Sequence, residues 1–228
     1  FRVVYSSSEI PSAEEVCTAI ANIMEGEIEA APVEPLDEST HWTMQVRIKG
    51  IPSDFIIWDE QINDSTKKEL QVQEGWVLGM QTALHPDDPL SHFANLMWVL
   101  GSLPFEIHSI CDLPTGRWFS KDVLHRIFID ETIEPQEEIL WITRLIEAPE
   151  NVEPEDRWLW LSTHGLNRCG KSELELLGVG GTFVNEALQL IDGLASLTFE
   201  TPLPAAGNVI SVGPELSVSI STCDDAIK

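Results

Sequence analysis

The sequence predicts an α+β protein with mixed or antiparallel sheets and helices packed on one face, and three features of its pattern predict it. Trp42, Met44, Val46 and Ile48 alternate with polar residues, the period of a half-buried strand. Val16, Ile20, Ile23 and Met24 recur at helical spacing behind a cap. The order strand, helix, strands then occurs twice, which suggests two similar α+β units, 1–70 and 71–228, with no residue-level repeat to prove duplication.

The first unit opens with a strand at Arg2–Ser6. Ser12-Ala-Glu-Glu15 is a capping box, in which serine and glutamate satisfy two orphan N–H groups of a helix that ends at Gly26. Residues 27–39, rich in proline and acid, read as a weak strand and a loop. The alternating strand at Trp42–Ile48 and a strand at Phe55–Trp58 follow on either side of Pro52, and the polar stretch Asn63–Gln73 reads as a boundary.

The second unit opens with a mostly apolar strand, Gly75–Leu84. Asp88 then caps a helix with Pro89 at its first position and a buried stripe of Leu90, Phe93, Met97 and Leu100, ended by Gly101 and Pro104. A strand at Glu106–Cys111 and a short helix from Ser120 to Ile129 come next. Strands at Glu138–Ala148 and Arg157–Thr163 flank an acidic loop containing Pro149 and Pro154. Thr182 caps a helix carrying Val184, Ala187, Leu188 and Ile191 that Gly193 stops, and Val209–Ile220 is a strand or hairpin.

Composition bounds the function. The chain has 228 residues, 43% of them hydrophobic, which is enough to bury real cores. Its apolar runs are broken by charge well before the roughly 18 residues of a membrane span, and Phe1-Arg2-Val3-Val4 lacks the regions of a signal peptide; a cytoplasmic protein without membrane contact is expected. Cys17, Cys111, Cys169 and Cys223 are far apart and form no C-x-x-C pair, so they read as thiols rather than as a zinc site or disulfide framework. With 38 acidic against 13 basic residues, the formal charge of −25 repels phosphate backbones, which argues against nucleic acid. The same excess suits attraction of a basic protein or a faster encounter with one, and equally general solubility or adaptation to a salty cytoplasm.

The chemistry-bearing residues crowd into Trp158–Leu177. Gly165, four residues, then Gly170-Lys171-Ser172 spell the phosphate-binding pattern G-x-x-x-x-G-K-[ST]. That pattern works only when a strand precedes it and a helix follows, N-terminus toward the phosphates. Here Glu173-Leu-Glu-Leu-Leu177 alternates like a strand, Gly178, Gly180 and Gly181 oppose a long helix, and Asp192, the best magnesium-holding acid, falls inside a helical pattern. Cys169 beside His164, with Arg168 or Lys171 to favour a thiolate, offers a nucleophile and base, but no third orienting group can be assigned. Neither His164 with Glu173 or Glu175, nor His85, Asp87, Asp88 and His92, has the spacing of a metal-ligand set. His41, His108 and His125 stand alone beside apolar residues and read as structural. Trp141, Trp158 and Trp160 read as a shared core layer or as an exposed recognition face that would favour a partner, with the core favoured.

Thr163-His-Gly-Leu166, Arg168, Gly170 and Ser172-Glu-Leu-Glu175, with Gly116-Arg-Trp118 and the helix after it, resemble the T-H-G-L, R-x-G, E-L-E signature of a bacterial domain-of-unknown-function family, number four thousand and twenty-six. The likeness covers roughly residues 75–200. In that family the lysine position is not reserved for lysine, which makes Lys171 an accident of this chain. The resemblance implies a bacterial cytoplasmic α+β protein, often with a further C-terminal domain that this chain would lack, and it brings neither an activity nor catalytic residues.

The expectation is therefore a non-enzymatic, acidic protein-interaction module without cofactor or metal. His164, Arg168, Cys169 and Glu175 are its candidate binding residues, on a turn that His164, Arg168 and Glu175 order. A concrete version neutralises a basic partner, as immunity-type proteins do. The alternative is a hydrolase-type or nucleotide-binding enzyme centred on His164, Cys169 and Lys171.

Overall fold

Period-two alternation becomes sheet, and capped period-3.6 runs become helix, in a computed structural model that describes residues 1–7, 9–26, 28–35, 40–51, 53–130, 132–146, 158–212 and 217–222. The α+β class is borne out, and every pairing among the described strands is antiparallel. The chain divides into two compact units, one of Phe1–Leu140 with Arg168–Gly170 and one of Trp141–Asn167 with Lys171–Lys228. Cys223, Pro149 and Pro154 lie outside the described residues, as does the side chain of Trp158.

In the first unit the order is β1 (Arg2–Tyr5), α1 (Ala13–Met24), β2 (Ile28–Pro32), β3 (Thr43–Ile48), β4 (Phe55–Gln61), α2 (Asp64–Leu70) and β5 (Trp76–Gln81). Then come α3 (Pro89–Ser102), β6 (Ile107–Asp112), β7 (Arg117–Ser120) and α4 (Lys121–Leu124), which runs into a π-helical turn at His125–Ile129. Seven strands form one sheet in the order β2-β3-β4-β5-β1-β6-β7. The boundary expected at residue 70 therefore falls inside a single sheet, since β5 lies between β4 and β1. The polar stretch that suggested it is a helix: Asn63 Oδ1 caps α2 by accepting from Thr66 N–H at 2.9 Å.

Helices cover both faces of this sheet, not one. Met44, Ile57 and Met80 stand in one cross-strand row, and Met44 lines a groove with α1. Leu70 of α2 packs instead on Val4, Ile62 and Val77, whose side chains point the other way from those of Tyr5, Trp76 and Leu78. The expected caps of α1 and α3 are present. Ser12 and Glu15 close the capping box, and Asp88 accepts from Ser91 N–H at 3.1 Å. Tyr5 stacks on Trp76 at 4.3 Å, and Phe93, Phe119 and Phe128 meet edge-on or tilted at 6.0–6.4 Å.

In the second unit β8 (Ile142–Ile146), β9 (Trp158–His164) and β10 (Glu175–Gly180) form a three-stranded sheet with β9 central. Leu159, Leu161 and Val179 pack on Ala187 and Ile191 of α5 (Val184–Glu200). Trp141 is buried and stacks on Phe199 at 5.6 Å, in keeping with its core assignment. The hairpin expected at the end is β11 (Val209–Ser211) with β12 (Ser217–Ser219). Gly193 does not stop α5, which continues to Glu200, and Thr182 does not cap it, since Phe183 holds that position without a side-chain bond. Burial of Leu194, Ala195 and Thr198 on the same face carries the helix through the glycine.

Two glycines make opposite predictions. Gly79 sits opposite Trp58 in the β4–β5 ladder, and a Cβ there would lie 2.0 Å from the indole Cε2. Gly79→Ala should cost about 1–3 kcal/mol by displacing the ring. A Cβ on Gly193 meets open space, so Gly193→Ala should stabilise by about 1 kcal/mol. Urea unfolding of both variants checks the two signs.

Candidate functional site

A single carboxylate organises the turn between β9 and β10. Glu173 Oε1 accepts from the backbone N–H groups of Gly165 at 2.8 Å and Asn167 at 3.1 Å, while its Oε2 accepts from Thr163 Oγ1 at 2.9 Å. Thr163 Oγ1 in turn accepts from Leu174 N–H at 2.7 Å, and Lys171 N–H donates to Leu166 O at 3.2 Å. Gly165 and Gly170 hold the shoulders at φ 117° and 72°, values that glycine adopts without a Cβ penalty.

This arrangement answers the phosphate question. The N–H groups of Gly165 and Asn167, which a phosphate would need, already face an internal anion, and the chain after Gly170 goes into strand β10 with no intervening helix. Lys171 directs its ammonium over the Phe199 ring, 5.7 Å from the centroid. Asp192 is likewise engaged, accepting from Thr143 Oγ1 at 2.6 Å and Trp141 Nε1 at 3.4 Å. The resemblance to a P-loop is one of letters, not of geometry.

The four candidate binding residues fall into different units. Arg168 and Cys169 belong to the first, His164 and Glu175 to the second. His164 ends β9, opposite Ile142, and is partly exposed. Glu175 begins β10, opposite Ser162, and is exposed. Glu173 bonds the turn from just before β10, a contribution beyond the His164, Arg168 and Glu175 expected to order it; the sequence shows both acids but not which groups they meet.

Arg168 is a structural cation. Its Nη1 donates to Asp112 Oδ1 at 2.5 Å and its Nη2 to Leu140 O at 2.7 Å, and the guanidinium lies 4.9 Å from the Phe93 ring centroid. Asp112 is fully buried, and its Oδ2 accepts from Thr115 Oγ1 at 2.5 Å. Asp112 and Thr115 shape the β6–β7 turn, from which Gly116 N–H donates back to Asp112 O at 2.7 Å. Asp112 and Thr115 escaped the sequence reading, although Asp-Leu-Pro-Thr-Gly is a turn signature. Cys169 is 0% exposed, which suits a packed thiol rather than a reactive one. Cys17 and Cys111 are buried as well, and burial raises the Cys17 thiol pKa.

The remaining histidines have partners. His41 does not stand alone: its Nδ1 is 2.5 Å from Oδ2 of the fully buried Asp59, which also accepts from the N–H groups of His41 at 2.9 Å and Trp42 at 2.7 Å. Asp59 was legible as an inward carboxylate, in phase with Phe55 and Ile57 along β4. His108 Nδ1 lies 3.0 Å from Ser109 Oγ, and His125 Nδ1 is 4.0 Å from Asp130. His92 uses Nδ1 to accept from His85 N–H at 2.8 Å, and burial, followed by the neighbouring His85, lowers its pKa. No cluster of three His, Cys, Asp or Glu side chains suited to a metal occurs among the described residues. No helix among them is long and apolar enough to cross a membrane.

Residues 146–224 match the family model described as protein of unknown function (DUF4026), C-terminal, the family that the sequence resembles. The match is to the family's C-terminal model and extends past residue 200, beyond the 75–200 over which the likeness is expected; Gly116–Trp118 lies outside it. No curated protein and no solved structure matches the chain significantly.

Three predictions separate structure from chemistry at this turn. Arg168→Ala leaves the Asp112 charge buried and unpaired, and should cost about 3–5 kcal/mol in denaturant unfolding. Cys169 should resist iodoacetamide at neutral pH in the native protein, and magnesium ATP should give no thermal shift. Rapid alkylation of Cys169, or a shift abolished by Lys171→Ala, would restore the enzyme reading.

Proposed function

We propose that this protein is a non-enzymatic binding module whose partner is a basic protein. One observation carries the reading: a formal charge of −25, from 38 acidic and 13 basic residues, on a chain whose conspicuous reactive segment is occupied with its own bonding. Arg168 neutralises Asp112, Glu173 fills the turn, and Cys169 is buried. What remains for a partner is a field that attracts cations over a Debye length of about 8–10 Å.

Such a field raises association rates and selects the sign of the partner more than it sets final affinity. A module that intercepts a basic protein before it reaches its target, in the manner of an immunity protein, exploits that property. His164, partly exposed, and Glu175, exposed, are candidate contact residues.

The test is a pull-down with the tagged protein at moderate salt, followed by stopped-flow association with whatever basic protein is retained. We expect a partner of pI above about 9, with an association rate that falls steeply as ionic strength rises. Retention of neutral or acidic proteins alone, or a rate indifferent to salt, overturns the reading.

A further inference from the structure

The edge of the large sheet carries a groove that fits a strand. It lies between α1 and β2, has a volume of about 480 Å³, and is lined by Ala13, Cys17, Thr18 and Ala21 of the helix and by Ile28, Ala30, Pro32 and Met44 of the strands. Ala13, Cys17 and Ala21 recur every four positions and form one stripe, with Glu14 and Thr18 beside it; Ile28, Ala30 and Pro32 are alternate residues of β2 and so share one face. Small side chains along both walls leave the space open, and the volume falls in the range of pockets that take ligand side chains.

Among the described strands, β2 is the outermost of its sheet and has β3 as its one neighbour. The Val33 N–H bond to Thr43 O at 3.1 Å fixes the phase of the β2–β3 ladder. Val33, Ala31 and Glu29 are the residues that exchange bonds with β3, so the N–H and C=O groups of Ile28 and Ala30 and the C=O of Pro32 point outward. The groove and these outward groups lie along the same strand. This is the geometry in which an extended segment adds to a sheet edge and places alternate side chains in pockets.

Charge selects the occupant. Glu14 lines the groove, and Glu25, Glu29 and Glu34 are exposed at the end of α1, on β2 and just beyond it. The only basic side chain on β3, Arg47, is held by Asp54 at 2.8 Å and lies 3.9 Å from Glu29. We propose that the α1–β2 groove binds an extended segment of a partner protein in which apolar residues alternate with lysine or arginine. The segment would pair with β2 as an eighth strand, apolar side chains in the groove and basic ones toward the acidic rim. This inference rests on the basic-partner reading and assigns it a site.

Fluorescence anisotropy with a labelled alternating Lys–Val octapeptide tests it on the full chain, with a Lys–Gly octapeptide of equal charge as control. The wild-type protein should bind Lys–Val about tenfold or more tightly than Lys–Gly. Ala30→Pro removes one outward N–H without touching the β3 ladder, and Thr18→Trp fills the groove from an exposed helical position. Each should weaken Lys–Val binding about tenfold or more while leaving the unfolding midpoint near that of wild type. If Ala30→Pro loses folding, Thr18→Trp alone decides. Equal binding of the two peptides, or full affinity in the folded variants, overturns the groove but leaves the basic-partner reading standing. Absence of binding to either peptide overturns the groove, and it overturns the basic-partner reading too if the pull-down retains no cationic protein.

Discussion

A fully buried carboxylate, Asp112, imposes a strict demand on the first unit. Moving an unpaired carboxylate out of water costs far more than any single packing contact returns, so the fold must bring a cation and hydrogen-bond donors to it. Arg168 meets the demand with one nitrogen on Asp112 and another on the Leu140 carbonyl. The face of its guanidinium rests on Phe93, which belongs to the cluster with Phe119 and Phe128. Charge neutralisation and aromatic packing thereby fix each other. An arginine is required here because a lysine ammonium offers no planar face for the ring and no fork for two acceptors in different directions.

The turn at residues 163–174 follows the same logic with the signs reversed. A loop that turns sharply exposes several N–H groups to one point and becomes an anion site by default. In a nucleotide-binding protein that point is left for phosphate. Here Glu173 occupies it, and one carboxylate satisfies three donors that would otherwise need water or ligand. Filling the site from within converts a recognition element into a rigid connection between two strands, and it explains how a chain can match the phosphate-binding letters yet have no place for the phosphate.

Much of this was legible, and the failures have physical causes. The Ser12–Glu15 box, the Asp88–Pro89 start, the strand character after Ser172 and the terminal hairpin depend on local periodicity and caps, and all of them stand in the structure. Misreadings arose where tertiary packing overrode a local rule. Gly193 reads as a stop, but Leu194, Ala195 and Thr198 are buried against their unit and hold α5 together. Asn63–Gln73 reads as a boundary because Leu70 and Val72 are its apolar residues that pack on a core, and that core includes Val4 of β1, which no local window contains. At the site, Arg168 and Glu173 were visible as residue types but not as partners. Asp112 lies 56 positions away from Arg168, and the donors that meet Glu173 are set by how the chain folds back before β10 begins.

An exposed edge strand is a hazard as well as an opportunity, because it offers open N–H and C=O groups to any extended chain, including another copy of itself. The features around β2 discriminate among those chains by sign. Two copies of an edge bearing Glu29, with Glu14 across the groove and Glu34 just beyond, would bring like charges together, and Pro32 denies the ladder one donor. A chain carrying lysine or arginine between its apolar residues meets attraction at the same positions. In the proposed docking mode, the acidic side chains that disfavour pairing of two β2 edges are the same ones that favour a basic strand, so both preferences arise from one distribution of charge.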